Sequence, residues 1–250
     1  MADRPGIDGA WAHCSGDGGS TVEVPPDGCA DLVVVVDGTR ASAFVVGPSS
    51  ALDRVTLPPG QRLAGIRFRC GVGPVVLDVD GAALADRSIP LDDLDPNLTR
   101  RLVDRIDGGP LLAAVRSVAD ALVARARWTP DRRRVLRGIA LLQAGSAVGA
   151  LADGLGTSDR SLRRAFAATV GLSPRAVGRV LRFQRALAAI TAGRPLAEVA
   201  YTCGYADQAH LSREVRALAG APPSVIARGT PSPTVDRPWP NRSSGPAPGG

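Results

Sequence analysis

"EVAYTCGYADQAHLSREVRALAGAPPSVIAR" runs from Glu198 to Arg228, and about fifty residues earlier stands "GALADGLGTSDRSLRRAFAATVGLSP", from Gly149 to Pro174. The two stretches align. "LRRAFAATVGLSP" (162–174) meets "LSREVRALAGAPP" (211–223) at a constant offset of 49, pairing Leu162 with Leu211, Arg164 with Arg213, Phe166 with Val215, Gly171 with Gly220 and Pro174 with Pro223. Upstream the offset is 48, pairing Ala152 with Ala200 and Gly156 with Gly204, so the second copy has a turn one residue longer.

Each copy reads as a short helix, a turn built on glycine and a second amphipathic helix. Ala152 and Ala200 are small enough for the two helices to cross closely, and Gly156 and Gly204 suit the positive φ of a tight turn. Ser158 and Asp207 are N-cap residues for the second helix of each copy. This is the sequence form of a helix-turn-helix, whose second helix enters the DNA major groove. A lone copy is as well explained by plain helical packing. Two copies in one basic region favour DNA.

Charge supports that placement. All 30 basic residues are Arg; residues 1–130 hold 13 of them against 17 acids, a net of −4, whereas residues 131–229 hold 15 against 6, a net of +9. The polyanion-facing part is therefore the back of the chain. The hydrophobic share of 44% supplies real cores, and an aromatic share of 4% makes them aliphatic.

The front half has a different texture. "DLVVVVDG", "SAFVVG", "LAGIRFRCG" and "VVLDVDG" within residues 20–90 are short β-branched runs separated by turn formers, and each is expected as a strand. From about Asp92 the period becomes helical, in "LTRRLVDRI" and "PLLAAVRSVADALVARA". In "WTPDRRRVLRGIALLQAG", Thr129 is the expected N-cap, Pro130 the first helical residue and Gly145 the end, with Val135, Ile139 and Leu142 facing inward. The fold class expected is α+β and multi-domain: a β-rich N-terminal sensor or dimerisation domain (1–110), a helical connector (111–128), an all-α DNA-binding domain (129–229) and a Pro-rich tail (230–250) disordered by composition.

These residues resemble the AraC/XylS-type bacterial transcription regulators. "VAYTCGYADQAHLSR" is similar to that family's second motif, and "LADGLGTSDRSLRRAF", followed by "GLSP" and a helix with "RFQRA", to its first. The resemblance covers residues 131–229. "PDGCADLVVVV" and "GIRFRCG" look more distantly like an effector-type domain fused to such regulators, with Cys70 where Pro is expected. The family implies that Arg160, Ser161, Arg163 and Arg164 face the groove, and Arg is also the residue best shaped for guanine O6 and N7. The corresponding face of the second helix is Gln208, Ala209, Ser212 and Arg213. Gln suits adenine and Ala a thymine methyl group, while Ser212 and Arg213 suit phosphates. Arg175, Arg179 and Arg182 share a face of the helix between the copies, expected from Pro174 to Ala192. Arg175 and Arg179, with His210, are candidate phosphate contacts, and the resemblance gives Arg182 an internal structural role. Tyr201, Tyr205 and Cys203 are expected to pack.

The partners expected are double-stranded DNA, a small-molecule effector, RNA polymerase where the regulator activates, and a second copy in a homodimer. A cytoplasmic protein without cofactor, metal or catalytic residue is expected. The start has no secretory signal pattern, and "LVVVV" falls far short of the ~20 apolar residues of a membrane helix. A DNA-modifying or repair enzyme using the same binding domain is the alternative; it requires a metal-binding Cys cluster and an activated thiol. Cys14, Cys29, Cys70 and Cys203 form no CxxC pair, and no local spacing makes a zinc site of His13, Cys14, Cys29 and Cys70. Asp27, Gly28 and Asp31 are expected to build the turn before a strand.

Overall fold

The computed structural model describes residues 6–107 and 110–227. The tail from Thr230 lies outside the described residues. Seven strands come first: β1 (Ile7–Cys14), β2 (Ser20–Val24), β3 (Asp31–Asp37), β4 (Arg40–Val46), β5 (Asp53–Leu57), β6 (Arg62–Phe68) and β7 (Ser88–Pro90). Five form an antiparallel sheet in the order β1-β6-β3-β4-β7, and β2 and β5 form a separate two-stranded ribbon.

The unbroken apolar run of β3 has a physical explanation in this arrangement. Leu32, Val34 and Val36 point to the main front core, while Val33 and Val35 point to a second cluster with Leu57, Leu63 and Trp11. A strand covered on both faces loses its hydrophobic–polar alternation. β1 was not apparent in the sequence because its "IDGAWAHC" has neither a β-branched run nor a clean period, yet it pairs with β6 along its length.

Helices interrupt and follow the sheet: α1 (Gly73–Leu77), α2 (Gly81–Leu84), α3 (Leu91–Leu94), α4 (Pro96–Asp107) and α5 (Leu111–Arg125). The strand expected over "VVLDVDG" is instead helix α1. Pro74 sits in its first turn, where the missing N–H costs nothing, and Asp78 ends it in the left-handed region at φ 55°. Its successive Val75 and Val76 are both buried, which made a helical turn look like a buried strand. The connector expected over 111–128 also differs. Ala114, Val115, Val118, Ala119 and Leu122 of α5 lie in the front core with the sheet residues, so this helix completes the first half.

The second half is all helix: α6 (Pro130–Gln143), a 3₁₀ turn (Val148–Ala150), α7 (Leu151–Gly154), α8 (Asp159–Val170), α9 (Pro174–Thr191), α10 (Leu196–Thr202), α11 (Gln208–Ala219) and α12 (Pro223–Ile226). Thr129 caps α6 by accepting from the Arg132 amide at 3.2 Å. Phe166 belongs to the core of the first motif and Phe183 to that of the second, both wholly buried. Val215 is wholly buried in the second core, in the place of Phe166 in the first. The "RFQRA" stretch of α9 joins four surroundings. Arg182 reaches Glu214, Phe183 enters the second core, Gln184 donates to the Pro26 carbonyl at 2.6 Å, and Arg185 donates to the Leu142 carbonyl at 2.9 Å.

The two halves share apolar surface. Cys29 and Cys70 from the front belong to one cluster with Ile139, Phe166 and Val170 from the back. Among the described residues no helix is long and apolar enough to cross a membrane.

Candidate nucleic-acid interface

The two motifs repeat down to single hydrogen bonds. The Ala152 carbonyl accepts from the Thr157 amide at 3.0 Å, and the Ala200 carbonyl from the Tyr205 amide at 2.9 Å. Between them Gly156 at φ 61° and Gly204 at φ 75° take the left-handed conformation that closes the turn. Ser158 then caps α8, accepting from the Ser161 amide at 3.2 Å, and Asp207 caps α11, accepting from the His210 amide at 2.6 Å. Gly171 and Gly220 end the two recognition helices with positive φ. The first motif's leading helix starts as a 3₁₀ turn that runs into four α residues, whereas α10 is α-helical throughout.

Amphipathic spacing decides which side chains stay outside. Leu162, Phe166 and Val170 on α8, and Leu211, Val215 and Leu218 on α11, are buried. Arg160, Arg163 and Arg164 are thereby exposed on the first recognition helix, with Ser161 half-buried and its hydroxyl 3.0 Å from that of Ser158. On the second, Gln208, Ala209 and Arg213 are exposed and Ser212 is half-buried. Arg175 is exposed near the start of α9.

Three side chains do not stand where the sequence suggested. Tyr201 was expected to pack and is 87% exposed, because Val199, Ala200 and Cys203 take the inner face of α10. Arg179 and His210, candidates for phosphate, turn their polar ends to Glu214 at 3.6 and 3.5 Å. Nothing in the sequence marks Glu214, since a lone Glu inside such a helix reads as a solvated residue. It is buried beside Arg182, whose guanidinium also lies 4.6 Å over the Tyr205 ring. Burial, then the Glu214 charge, pushes the Tyr205 phenol up to about 12, so it is a neutral hydroxyl at any working pH.

A front-half segment adjoins the first recognition helix. Asp78 and Asp80 line a groove of about 720 Å³ with Arg132, Ser161, Arg164 and Ala165. Arg132 reaches Asp78 at 3.4 Å. Acidic groups therefore stand beside the exposed Arg face of α8.

A second groove, about 610 Å³, lies where the front half meets α6, between Cys70, Val72, Val123, Trp128, Leu136 and Ile139.

The Asp27–Asp31 turn holds more than backbone. Asp27 accepts from the Cys29 amide at 2.8 Å, as a turn residue does, but both carboxylates also bind the buried Arg67, Asp27 at 2.5 Å and Asp31 at 2.8 Å. Loss of water pushes the Asp31 carboxyl up from 3.8 to about 6, and its two neighbours oppose each other, Arg67 lowering it and Asp27 raising it. Cys14 is exposed at the end of β1, and Cys29, Cys70 and Cys203 are buried. Among the described residues no three His, Cys, Asp or Glu side chains are grouped to hold a metal.

Residues 151–229 match the family model of a helix-turn-helix domain, and residues 4–90 match that of a domain of unknown function (DUF6597). No curated protein matches the sequence. Among solved structures, ToxT from Vibrio cholerae O395 is similar at 10% identity over 89% of this chain and 98% of that one, with a TM-score of 0.45. Unsaturated fatty acid-bound ToxT from Vibrio cholerae strain SCE256 is similar at 10% identity over 91% and 97%, with a TM-score of 0.42. The AraC-like transcriptional activator CuxR follows at 15% identity over 76% and 77%, with a TM-score of 0.22. At such scores these likenesses carry no argument, and what the matches show is a helix-turn-helix domain over residues 151–229.

Proposed function

We propose that this AraC-type DNA-binding transcription regulator sets its two recognition helices, α8 and α11, into adjacent major grooves on one side of the duplex. The observation that carries this reading is the duplication itself: two capped recognition helices of 12 residues each, joined through one helix of 18 residues. At 1.5 Å per residue α9 spans about 27 Å. Successive major-groove faces lie about 34 Å apart, so a rigid helix of this length suits them.

Within that pose Arg160, Arg163 and Arg164 are the readers of guanine, with Ser161 beside them, and Gln208 and Ala209 suit adenine and a thymine methyl group. Ser212, Arg213 and Arg175 bind phosphates and set the register. The DNA-binding unit is 129–229, and residues 1–128, with α5 included, form the sensing half. The groove beside α6 accommodates a small effector in contact with both halves, which is how occupancy of a promoter would be adjusted. RNA polymerase, where the regulator activates, and a second copy of the chain are the further partners of this reading. It places the protein in the cytoplasm and assigns it no catalysis.

Titration of the full-length protein against a random-sequence duplex pool at increasing salt tests the reading. Affinity falling steeply with salt, through counterion release, and enrichment of a preferred site are expected. A folded protein showing neither would overturn it.

A further inference from the structure

Glu214 lies on the core side of α11, only 9% exposed, and groups from two helices close on its carboxylate. Arg182 of α9 donates from Nη2 to both oxygens, at 3.1 and 3.0 Å. Arg179, one turn earlier on α9, brings Nε to 3.6 Å, and His210, one turn earlier on α11, brings Nε2 to 3.5 Å. Tyr205, from the turn between α10 and α11, sits under the Arg182 guanidinium and meets the His210 ring edge to face at 5.3 Å. One carboxylate thus ties the linker helix and its own recognition helix together, and Arg182 extends the tie to the turn.

The first motif has no counterpart. The offset of 49 puts Ala165 where Glu214 stands, so no carboxylate occupies that place. A buried ion pair is a poor source of stability, because desolvation of both charges offsets their attraction, and apolar residues of similar volume often serve as well. What charge-assisted hydrogen bonds do supply is direction, since the Arg182 Nη2 reaches both carboxylate oxygens only from a position between them.

We propose that Glu214 is a positioning residue for DNA reading, which fixes the roll of α11 so that Gln208, Ala209 and Ser212 face the groove, and which holds Arg179 and Arg182 away from the phosphates. The inference rests on the two-groove reading above. It makes the two recognition helices unlike in support: apolar packing seats both, and α11 has the Glu214 charge contacts in addition.

The test uses the full chain and the duplex that the wild-type protein selects from a random-sequence pool, with each base pair of that site varied in turn. Glu214→Gln keeps the volume and removes the charge. It is expected to flatten base preference about fivefold or more at the base pairs under α11, and to leave those under α8 within about twofold. Releasing Arg179 adds about one phosphate contact, so its salt slope should steepen. Glu214→Asp keeps the charge but withdraws it by one methylene. It should flatten the same base pairs less, with the wild-type salt slope, and it carries the test should Glu214→Gln not fold. Unchanged preference in the folded variants, or equal loss across the whole site, overturns the positioning role. Absence of any preferred site for the wild-type protein overturns the two-groove reading, and this inference with it.

Discussion

Gly81 and Gly171 meet backbone to backbone: a Cβ added to Gly81 would stand 2.5 Å from the Gly171 amide nitrogen and 2.8 Å from the Ala167 carbonyl oxygen. No side chain fits between main-chain atoms so placed. The contact docks α2 of the front half on the C-terminal end of the first recognition helix, close to where Asp78 and Asp80 line the groove beside Arg164.

Gly81→Val should therefore destabilise the chain by about 1–3 kcal/mol, the usual cost of overpacking a tight site. Thermal unfolding followed by far-UV circular dichroism checks this. The native helical signal is expected to be retained below a lowered midpoint. A midpoint equal to wild type would contradict the close approach of α2 and α8.

The Asp27–Arg67–Asp31 cluster gives a pH dependence of unusual sign. The Asp31 carboxyl is raised from 3.8 to about 6, so between these values the folded state binds the proton that the unfolded state has lost. Its contribution to stability is full below about pH 4 and is lost as pH rises through about 6. Denaturant unfolding of wild type and Asp31→Asn across that window measures it. The margin of wild type over the variant should shrink with rising pH, and a margin that grows would contradict the assignment.

How much of this was legible in the sequence depended on how local the signal is. The two motifs were readable because a cap, a glycine at positive φ and an apolar period of three and four residues all lie within about 25 residues of one another. Ser158, Asp207, Gly156 and Gly204 do what their positions suggested. The failures are long-range. Nothing near Asp31 announces Arg67, 36 residues away, and nothing near Glu214 announces Arg182, 32 residues away. "VVLDVDG" is ambiguous because a buried helical turn and a buried strand share one composition. The amphipathic face of α5 was evident, but not that a sheet would cover it.

The two recognition helices should fail differently when cut back. Arg163 is exposed one turn after the Ser158 cap, and the proposed pose makes it a reader of guanine. Arg163→Ala should cost about 1–3 kcal/mol on the preferred site and relax preference at one base position. Arg213→Ala should weaken all duplexes nearly equally and lower the salt slope by about one unit. Titration of both variants against the preferred site, its point variants and random DNA distinguishes the two. Equal weakening of every duplex by Arg163→Ala would contradict α8 as the main reader.

The central claim is that one chain occupies two successive major grooves through α8 and α11. Hydroxyl-radical footprinting of the full-length protein on its selected duplex measures this most directly. The account predicts, at one bound chain per site, two protected patches on one side of the helix about 10 base pairs apart, the patch under α8 weakening in Arg163→Ala. A single patch, or two patches on opposite sides of the duplex, would contradict it.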